Sequence, residues 1–100
     1  MNWKTKLKAK GLSNFEVKVL LATARIPKGE TRTYSQIARA IRKPKSSRAV
    51  GNALAKNPFA PQIPCHRVIK SNGDIGNYSA NGGRKTKMML LKKEGALRNG

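Results

Sequence analysis

Apolar residues recur at helical spacing in four stretches of this chain of 100 residues. The first stretch has an apolar stripe formed by Phe15, Val19, Ala22 and Ile26. Residues three and four positions apart lie on one face of a helix, so we expect this face in the core. Ser13 and Glu16 match a capping box at the start of the helix. Pro27 and Gly29 are expected to end it.

Two shorter helices are predicted next, with a turn between them. Thr33 and Gln36 match a second capping box, ahead of a short amphipathic helix that reaches Ile41. A turn containing proline and serines follows, and Ser47 can cap a third helix that ends near Lys56. Two short helices joined in this way are typical of a helix-turn-helix.

The third predicted helix has two different faces. We expect one face to be buried, and it consists of Val50, Ala53 and Leu54. The other face combines small residues with one long cation, and it consists of Arg48, Gly51, Asn52 and Ala55. Glycine inside a helix costs roughly 1 kcal/mol relative to alanine, so Gly51 favours a close approach of the backbone to a partner. Helix packing is the alternative. A face this slim lets a helix lie close to DNA, including the minor groove.

The rest of the chain combines a stiff loop, a turn and a last helix. Three prolines between residues 58 and 64 restrict the backbone ahead of Cys65. Val68–Ile69 and Ile75 flank a segment rich in turn-forming residues, which predicts a short β-hairpin. The last helix is predicted from about residue 84 to residue 94, with its lysines turned outward and Gly95 as its C-cap.

Residues 1–12 are predicted to form a basic arm in front of a domain that spans residues 13–100. An extended arm would present four ammonium groups on one side, those of Lys4, Lys6, Lys8 and Lys10. Such a strand could contact phosphates, and a frayed, solvated terminus is the alternative. The predicted fold of the domain is mainly α-helical with a short β-hairpin, and it has a winged-helix-like helix-turn-helix.

Charge narrows the choice of partner. Twenty-two lysines and arginines stand against four acidic residues, which gives a formal net charge of +18. A small domain with this charge attracts polyanions, so nucleic acid is the first candidate. An anionic membrane surface and the solvated surface of a thermophilic protein are alternatives. The longest apolar runs are too short to span a membrane, and we expect no signal peptide.

The single cysteine and the single histidine are neighbours, Cys65 and His66. One of each cannot form a structural zinc site, so we expect no metal. Positive surroundings favour the thiolate, which makes Cys65 a candidate nucleophile; a small buried thiol is the alternative. Glu94 supports the first interpretation. An acid in the last turn of a helix opposes the helix dipole and needs a partner, which could be His66 or a surface lysine.

Several motifs in this order resemble the O6-alkylguanine-DNA alkyltransferase family, in its C-terminal catalytic and DNA-binding domain. The resemblance extends from about Phe15 to Gly95. The matching segments are Thr33–Ala38, Arg48–Gly51, Asn57–Pro58, Pro64–Ile69, Gly76–Ser79 and Leu90–Gly95.

This resemblance implies a reaction in which the protein is consumed. An alkyl group would move from O6 of guanine, and less readily from O4 of thymine, to the Cys65 sulfur, once per molecule and without a cofactor. His66 would take the thiol proton through a water molecule, and Glu94 would orient His66. Because the target atom lies inside stacked duplex, the nucleotide must flip out.

The resemblance also implies which residues bind the substrate. The flipped base would be bound by Tyr34, Ser79 and the main chain near Val68 and Cys65. The residues expected at the DNA are Arg48, Tyr34, Ser71, Gly51, Asn52 and Arg67. Among these, Arg48 would fill the space that the flipped base leaves, and Arg67 would either contact phosphate or brace the site. Asn57 would brace the active-site loop.

The implied partner is double-stranded DNA that carries the alkylated guanine, bound from its minor-groove side by a monomer and away from any membrane. The implied location is the cytoplasm, at the nucleoid, in a prokaryote, or the nucleus in a eukaryote. Most family members carry an N-terminal ribonuclease-H-like domain, and here only the basic arm precedes the matching region. The main alternative is an alkyltransferase-like lesion sensor, although such proteins lack the cysteine. A helix-turn-helix repressor and an enzyme of this fold acting on other damaged bases are further alternatives.

Overall fold

The computed structural model describes residues 2–72, 74–76 and 83–96. Five α-helices and one small sheet lie within these ranges. The helices are α1 (Trp3–Ala9), α2 (Asn14–Ala24), α3 (Tyr34–Ala40), α4 (Ser47–Ala55) and α5 (Gly83–Lys93). The strands are β1 (Arg32–Thr33) and β2 (Val68–Ile69), and a short 3-10 helix, Cys65–Arg67, comes directly before β2.

Both predicted capping boxes are present. The Ser13 hydroxyl accepts from the Glu16 amide at 3.1 Å, and the Glu16 carboxylate accepts from the Ser13 amide at 2.9 Å. Thr33 and Gln36 exchange the corresponding bonds at 3.0 and 2.8 Å. These reciprocal bonds satisfy amides that have no partner inside the helix, and they fix the first turns of α2 and α3.

The N-terminal arm is a helix, so the prediction of an extended strand is wrong. Asn2 caps α1 by accepting from the Thr5 amide at 2.9 Å. Leu7 is completely buried in the main core, and the Trp3 ring packs on Phe59 with 5.3 Å between centroids. Burying a leucine and pairing two aromatic rings stabilises a helical arm more than lysine alternation stabilises a strand. The arm is therefore part of the packed fold.

The sheet differs from the predicted hairpin. Strand β2 pairs in parallel with β1, with Val68 opposite Arg32 and Ile69 opposite Thr33. Within the described part of the chain, Ile75 is buried but belongs to no strand. A two-residue strand is too short to hold a hairpin by itself, and the distant β1 is its partner instead. This pairing ties the segment after Cys65 to the start of α3.

Helices α3 and α4 form the predicted helix-turn-helix, and α2 packs against both of them around the core. The expected inner face of α4 is buried, and it consists of Val50, Ala53 and Leu54. Its N-cap is Ser46, which makes no side-chain cap bond, rather than Ser47 as predicted. The Ser47 hydroxyl lies 3.3 Å from that of Ser35. The mainly α-helical fold class is confirmed.

Helix α5 matches its predicted position, with Leu91 buried and Gly95 at a φ of 77° just after it. The expectation that its lysines point outward is wrong at one position, because Lys87 is only 1% exposed. None of the helices in the described ranges has the length and apolar character needed to cross a membrane.

Candidate active site

Cys65 lies at the start of the 3-10 helix, and only 5% of the residue is exposed. Its amide donates to the Ile63 carbonyl at 2.8 Å. Burial raises the pKa of the Cys65 thiol, whereas a hydrogen bond from Asn57 and the positive charge of Lys87 act in the opposite direction. Burial therefore leaves a protonated thiol at rest, and a base is needed to generate the thiolate.

Asn57 makes the contacts expected of a brace for the loop before Cys65. Its side-chain amide donates to the Ile63 carbonyl at 2.8 Å, and its side-chain oxygen accepts from the Phe59 amide at 3.0 Å. One side chain thereby fixes both ends of the loop that delivers the cysteine. Since the Phe59 ring also packs on Trp3, α1 reaches this loop as well.

The predicted partnership of His66 and Glu94 is present. His66 is 1% exposed, and its Nε2 lies 3.1 Å from each carboxylate oxygen of Glu94. An ionised carboxylate only accepts, so Nε2 carries the hydrogen and Nδ1 keeps the basic lone pair of the neutral ring. Burial lowers the pKa of His66, and the hydrogen bond with Glu94 opposes that shift. The ring is thus a neutral base at physiological pH.

Arg67 binds the same Glu94 carboxylate as His66 does. Its Nε and Nη2 donate to the two Glu94 oxygens at 2.9 and 2.8 Å, and its Nη1 donates to the Ile26 carbonyl at 2.7 Å. These bonds are the main reason that the pKa of Glu94 falls to about 2. Of the two roles predicted for Arg67, the structure shows the bracing one, with the guanidinium committed to protein acceptors. The partners of Glu94 are thus His66 and Arg67, not the surface lysine that was the alternative.

Tyr34 opens α3 and connects two walls of the site. A Cβ added at Gly51 of α4 would lie 3.8 Å from the Tyr34 ring, which is an ordinary contact. A Cβ added at Gly76 would lie only 2.9 Å from the Tyr34 hydroxyl, and Gly76 has a φ of 78°. Glycine is therefore required at Gly76 by the protein itself, whereas at Gly51 the protein leaves room. Burial raises the pKa of the Tyr34 hydroxyl, which keeps it a hydrogen-bond donor.

An open cavity of about 530 Å³ lies between α3, α4 and the segment after β2. It brings together six of the predicted site residues, namely Cys65, Tyr34, Arg48, Gly51, Asn52 and Ser71. Val68 is buried and does not line this cavity. Ser79 lies outside the described residues. The cavity therefore combines the candidate nucleophile with the outer face of the helix-turn-helix.

Sequence reasoning missed several residues of the site. The Ser35 hydroxyl bridges those of Ser47 and Ser71 at 3.3 and 3.2 Å, and Lys70 lines the same cavity. Lys87 is buried behind it and donates to the Val68 carbonyl at 2.7 Å. A signal for Lys87 existed, because it precedes Glu94 by seven residues and so shares its helix face. Among the described residues, no cluster of three metal-ligating side chains occurs.

Comparison with known sequences identifies relatives. The family model described as 6-O-methylguanine DNA methyltransferase, DNA binding domain, matches residues 14–96. A methylated-DNA–protein-cysteine methyltransferase of Methanosarcina acetivorans is 49% identical over 84 residues, which is 84% of this chain and 53% of the relative. An inducible enzyme of that name from Bacillus subtilis is 44% identical over 82 residues, 82% of this chain and 45% of the relative. The chain spans about half the length of these curated relatives.

Comparison with solved structures agrees. The OGT of Mycobacterium tuberculosis in complex with DNA superposes with a TM-score of 0.79 at 43% identity, covering 83% of this chain and 49% of that one. Atl1 of S. pombe, in complex with damaged DNA containing O6-carboxymethylguanine, gives a TM-score of 0.74 at 34% identity, covering 84% and 78%. The sequence match and the shared fold together place this chain in the family of the 6-O-methylguanine DNA methyltransferase DNA-binding domain.

Proposed function

We propose that this chain repairs duplex DNA by transferring an alkyl group from O6-alkylguanine, and less readily from O4-alkylthymine, to its own Cys65. The observation that carries the proposal is the position of Cys65. Cys65 lines the open cavity together with Tyr34 and Arg48. The next residue, His66, is hydrogen-bonded to the ionised carboxylate of Glu94. A nucleophile, its base and the group that orients the base are thus consecutive in space.

The proton moves before the alkyl group does. The Cys65 thiol gives its proton to the Nδ1 of His66 through a water molecule, and Glu94 stabilises the imidazolium through the hydrogen on Nε2. Because Arg67 holds the pKa of Glu94 at about 2, the carboxylate stays ionised and does not compete for the proton. A general base of this kind contributes roughly 100- to 10,000-fold in rate.

The transfer itself is a displacement at the alkyl carbon. The thiolate sulfur forms a bond to that carbon as the carbon–O6 bond breaks, and the electron pair leaves with guanine. The departing guanine needs hydrogen-bond donors, for which we propose the Tyr34 hydroxyl and Ser79. The Cys65 thioether is not cleaved again, so each molecule reacts once.

We propose that DNA binds along the outer face of α4, from its minor-groove side, as a complex with one protein monomer. Arg48 and Asn52 are exposed there and line the cavity, and the net charge of +18 attracts the phosphates. Flipping a nucleotide costs a few kcal/mol. Arg48 would fill the vacated stack, and Ser71 would contact the backbone. We further propose that residues 13–100 are the functional domain and that the protein acts wherever the genome lies, in the cytoplasm or the nucleus.

The stoichiometry of transfer tests this proposal. A duplex with one isotopically labelled O6-methylguanine is titrated into the protein, and label on the protein is counted. We expect transfer to stop at one methyl group per molecule. Cys65→Ala should bind the same duplex with selectivity for the lesion and acquire no label. Selective binding without transfer by the unaltered protein would instead identify a lesion sensor.

A further inference from the structure

Lys87 is a cation enclosed by the protein. It projects inward from the second turn of α5 and is 1% exposed. Its Nζ donates to the Val68 carbonyl at 2.7 Å and lies 5.9 Å from the centroid of the Tyr34 ring. Removing an ammonium group from water costs several kcal/mol, so nearby groups must compensate.

The surroundings of Lys87 belong to the site. A Cβ added at Gly76 would lie 3.6 Å from the Lys87 Nζ and 2.9 Å from the Tyr34 hydroxyl. The ammonium group, the tyrosine hydroxyl and the Gly76 backbone therefore meet behind one wall of the cavity. Through Val68 the ammonium group also contacts the strand that follows the Cys65–Arg67 turn. Lys87 is thus built into the support of both Tyr34 and the cysteine segment.

Charge couples Lys87 to the nucleophile. Its ammonium group lowers the pKa of Cys65, and a thiolate at Cys65 in turn favours the ammonium form. The acid that acts on Lys87, Asp74, also pairs with Arg84 at 3.0 Å on the surface. Among the residues that the structure describes, the titratable and charged groups that interact electrostatically with Lys87 include Tyr34, Cys65, His66, Lys70, Asp74 and Arg84.

We propose that Lys87 is a positioning residue of the transfer site. Its buried ammonium group, held beside the Tyr34 ring, acts by its charge on Cys65, and its hydrogen bond fixes the Val68 carbonyl in the strand that follows the cysteine. The effect on the thiol is a property of the free protein. The effect on the open cavity, which we propose receives the flipped base, rests on the proposed function.

The displacement explains why a fixed charge is useful at this place. Negative charge begins on the Cys65 sulfur and ends on the departing guanine. A buried cation beside Tyr34, which lines the cavity with Cys65, favours this shift of charge. Burial lowers the pKa of Lys87 to about 8. The transfer rate should therefore decline as the pH rises above about 8 and Lys87 loses its proton, even though alkali by itself favours thiolate.

The direct test is the rate at which iodoacetamide alkylates Cys65 in the DNA-free protein, measured against pH. Lys87→Gln keeps a donor for the Val68 carbonyl and removes the charge, whereas Lys87→Met removes both. We expect both variants to raise the apparent pKa of the thiol by about one unit. Below that pKa, alkylation should be about tenfold slower. Lys85→Gln, an exposed lysine of the same helix, should leave the rate unchanged.

Each outcome decides one part of the proposal. Wild-type reactivity in Lys87→Gln, with slow alkylation in Lys87→Met, would show that only the hydrogen bond matters and would overturn the role of the charge. Wild-type reactivity in both folded variants would overturn the proposal as a whole. Where neither variant folds by circular dichroism, Lys87→Arg decides. It keeps the charge, so its alkylation should match the wild type and its transfer rate should not decline above pH 8; a raised thiol pKa would contradict the role of the charge.

Transfer kinetics then separate this inference from the proposed function. In single turnover with O6-methylguanine duplex, Lys87→Gln should transfer about tenfold more slowly and bind the lesion within twofold of wild type. If the wild type transfers no methyl group, the proposed function fails, and the iodoacetamide result still decides whether Lys87 controls the thiol. Unchanged transfer in folded Lys87→Gln would contradict the inference alone.

Discussion

Cys65 separates two regions that differ in how their polar groups are satisfied. On one side, Glu94 is bonded to His66 and Arg67, and Arg67 continues to the Ile26 carbonyl. On the other side, an open cavity of about 530 Å³ exposes Arg48 to solvent. The half that handles the proton is completed by protein contacts, and the half that would receive the base is left for a partner to complete. Substitutions in the first half should lower stability and slow the chemistry together, and those in the second should impair the handling of substrate DNA without a loss of stability.

The largest effect is expected where the two regions meet. Cys65→Ala should abolish transfer completely, because no other thiol exists in the chain. Binding of lesion-containing duplex should persist, since the cavity wall is otherwise unchanged. Single-turnover transfer and a gel-shift titration measure the two properties on one preparation. Residual transfer by the folded variant would exclude Cys65 as the acceptor.

Glu94→Gln should have the next largest effect and should change both properties of the closed region. The loss of the carboxylate leaves the guanidinium of Arg67 without its ionic partner, which costs roughly 3 kcal/mol of stability. Transfer should slow by roughly 100-fold because His66 loses the group that orients it. Chemical denaturation and single-turnover kinetics measure these changes. Glu30→Gln, which breaks an exposed pair with Arg32, is the matched control and should alter neither.

The acid dependence of stability gives a second measurement on Glu94. Its pKa is about 2 in the folded protein and its ordinary value is 4.5. Because the folded value is the lower one, the stabilisation is fully present above pH 4.5 and is lost as the pH falls toward 2. The wild type should lose stability more steeply over this interval than Glu94→Gln. Parallel curves would mean that Glu94 is not held in its ionised form by the fold.

Arg48→Ala should affect only the open region. Its side chain is exposed and lines the cavity, so the free energy of unfolding should change by less than about 0.5 kcal/mol. Transfer should slow by roughly 10- to 100-fold, because the flipped nucleotide loses the group that fills its place. Arg25→Ala removes an exposed arginine outside the cavity and controls for lost charge. Equal losses in both variants would make Arg48 an ordinary phosphate contact.

The smallest effects are expected from alanine substitutions at two glycines, Gly51 and Gly76. Gly51→Ala should stabilise α4 by up to about 1 kcal/mol, because the new Cβ meets only an ordinary contact in the protein, 3.8 Å from the Tyr34 ring. It should nevertheless weaken DNA binding several-fold if the backbone of α4 approaches the duplex closely.

Gly76→Ala should destabilise the protein, in contrast with Gly51→Ala. Its Cβ would lie 2.9 Å from the Tyr34 hydroxyl at a φ of 78°, so the protein itself loses stability. Thermal melts and DNA titrations of both variants test the contrast. Tighter or unchanged DNA binding by Gly51→Ala would remove the argument for a close approach at α4.

Local features of this fold could be read from the sequence because their causes are local. Each capping box lies within four consecutive residues, and the α4 stripe follows from helical spacing. The predicted α2 stripe is only partly right. Val19 and Ile26 are buried and Phe15 and Ala22 partly so, but the helix also buries three residues off that stripe, namely Val17, Leu20 and Thr23. The pairing of β1 with β2 joins residues 36 positions apart, Arg32 with Val68, and nothing in either dipeptide specifies its partner. The helical arm is stabilised by the packing of Leu7 and Trp3 on the core. The alternating lysines of this segment do not indicate that packing.

The site residues likewise fall into those that the local sequence indicates and those that depend on contacts between distant segments. Cys65, His66 and Glu94 could be proposed from residue type and motif, and the structure shows the His66–Glu94 contact. The role of Arg67 was left between two alternatives because its partners, Glu94 and Ile26, are distant in sequence. The burial of Lys87 was missed because lysine is almost always exposed, although its spacing of seven residues from Glu94 places both residues on one helix face.

The measurement that tests the central claim most directly is the mass of the protein after reaction with duplex DNA carrying one O6-methylguanine, followed by peptide mapping. We predict a mass increase of one methyl group in place of one hydrogen, located on the peptide that contains Cys65 and saturating at one per molecule. An unchanged mass after lesion-selective binding, or a methyl group on any other residue, would contradict the account.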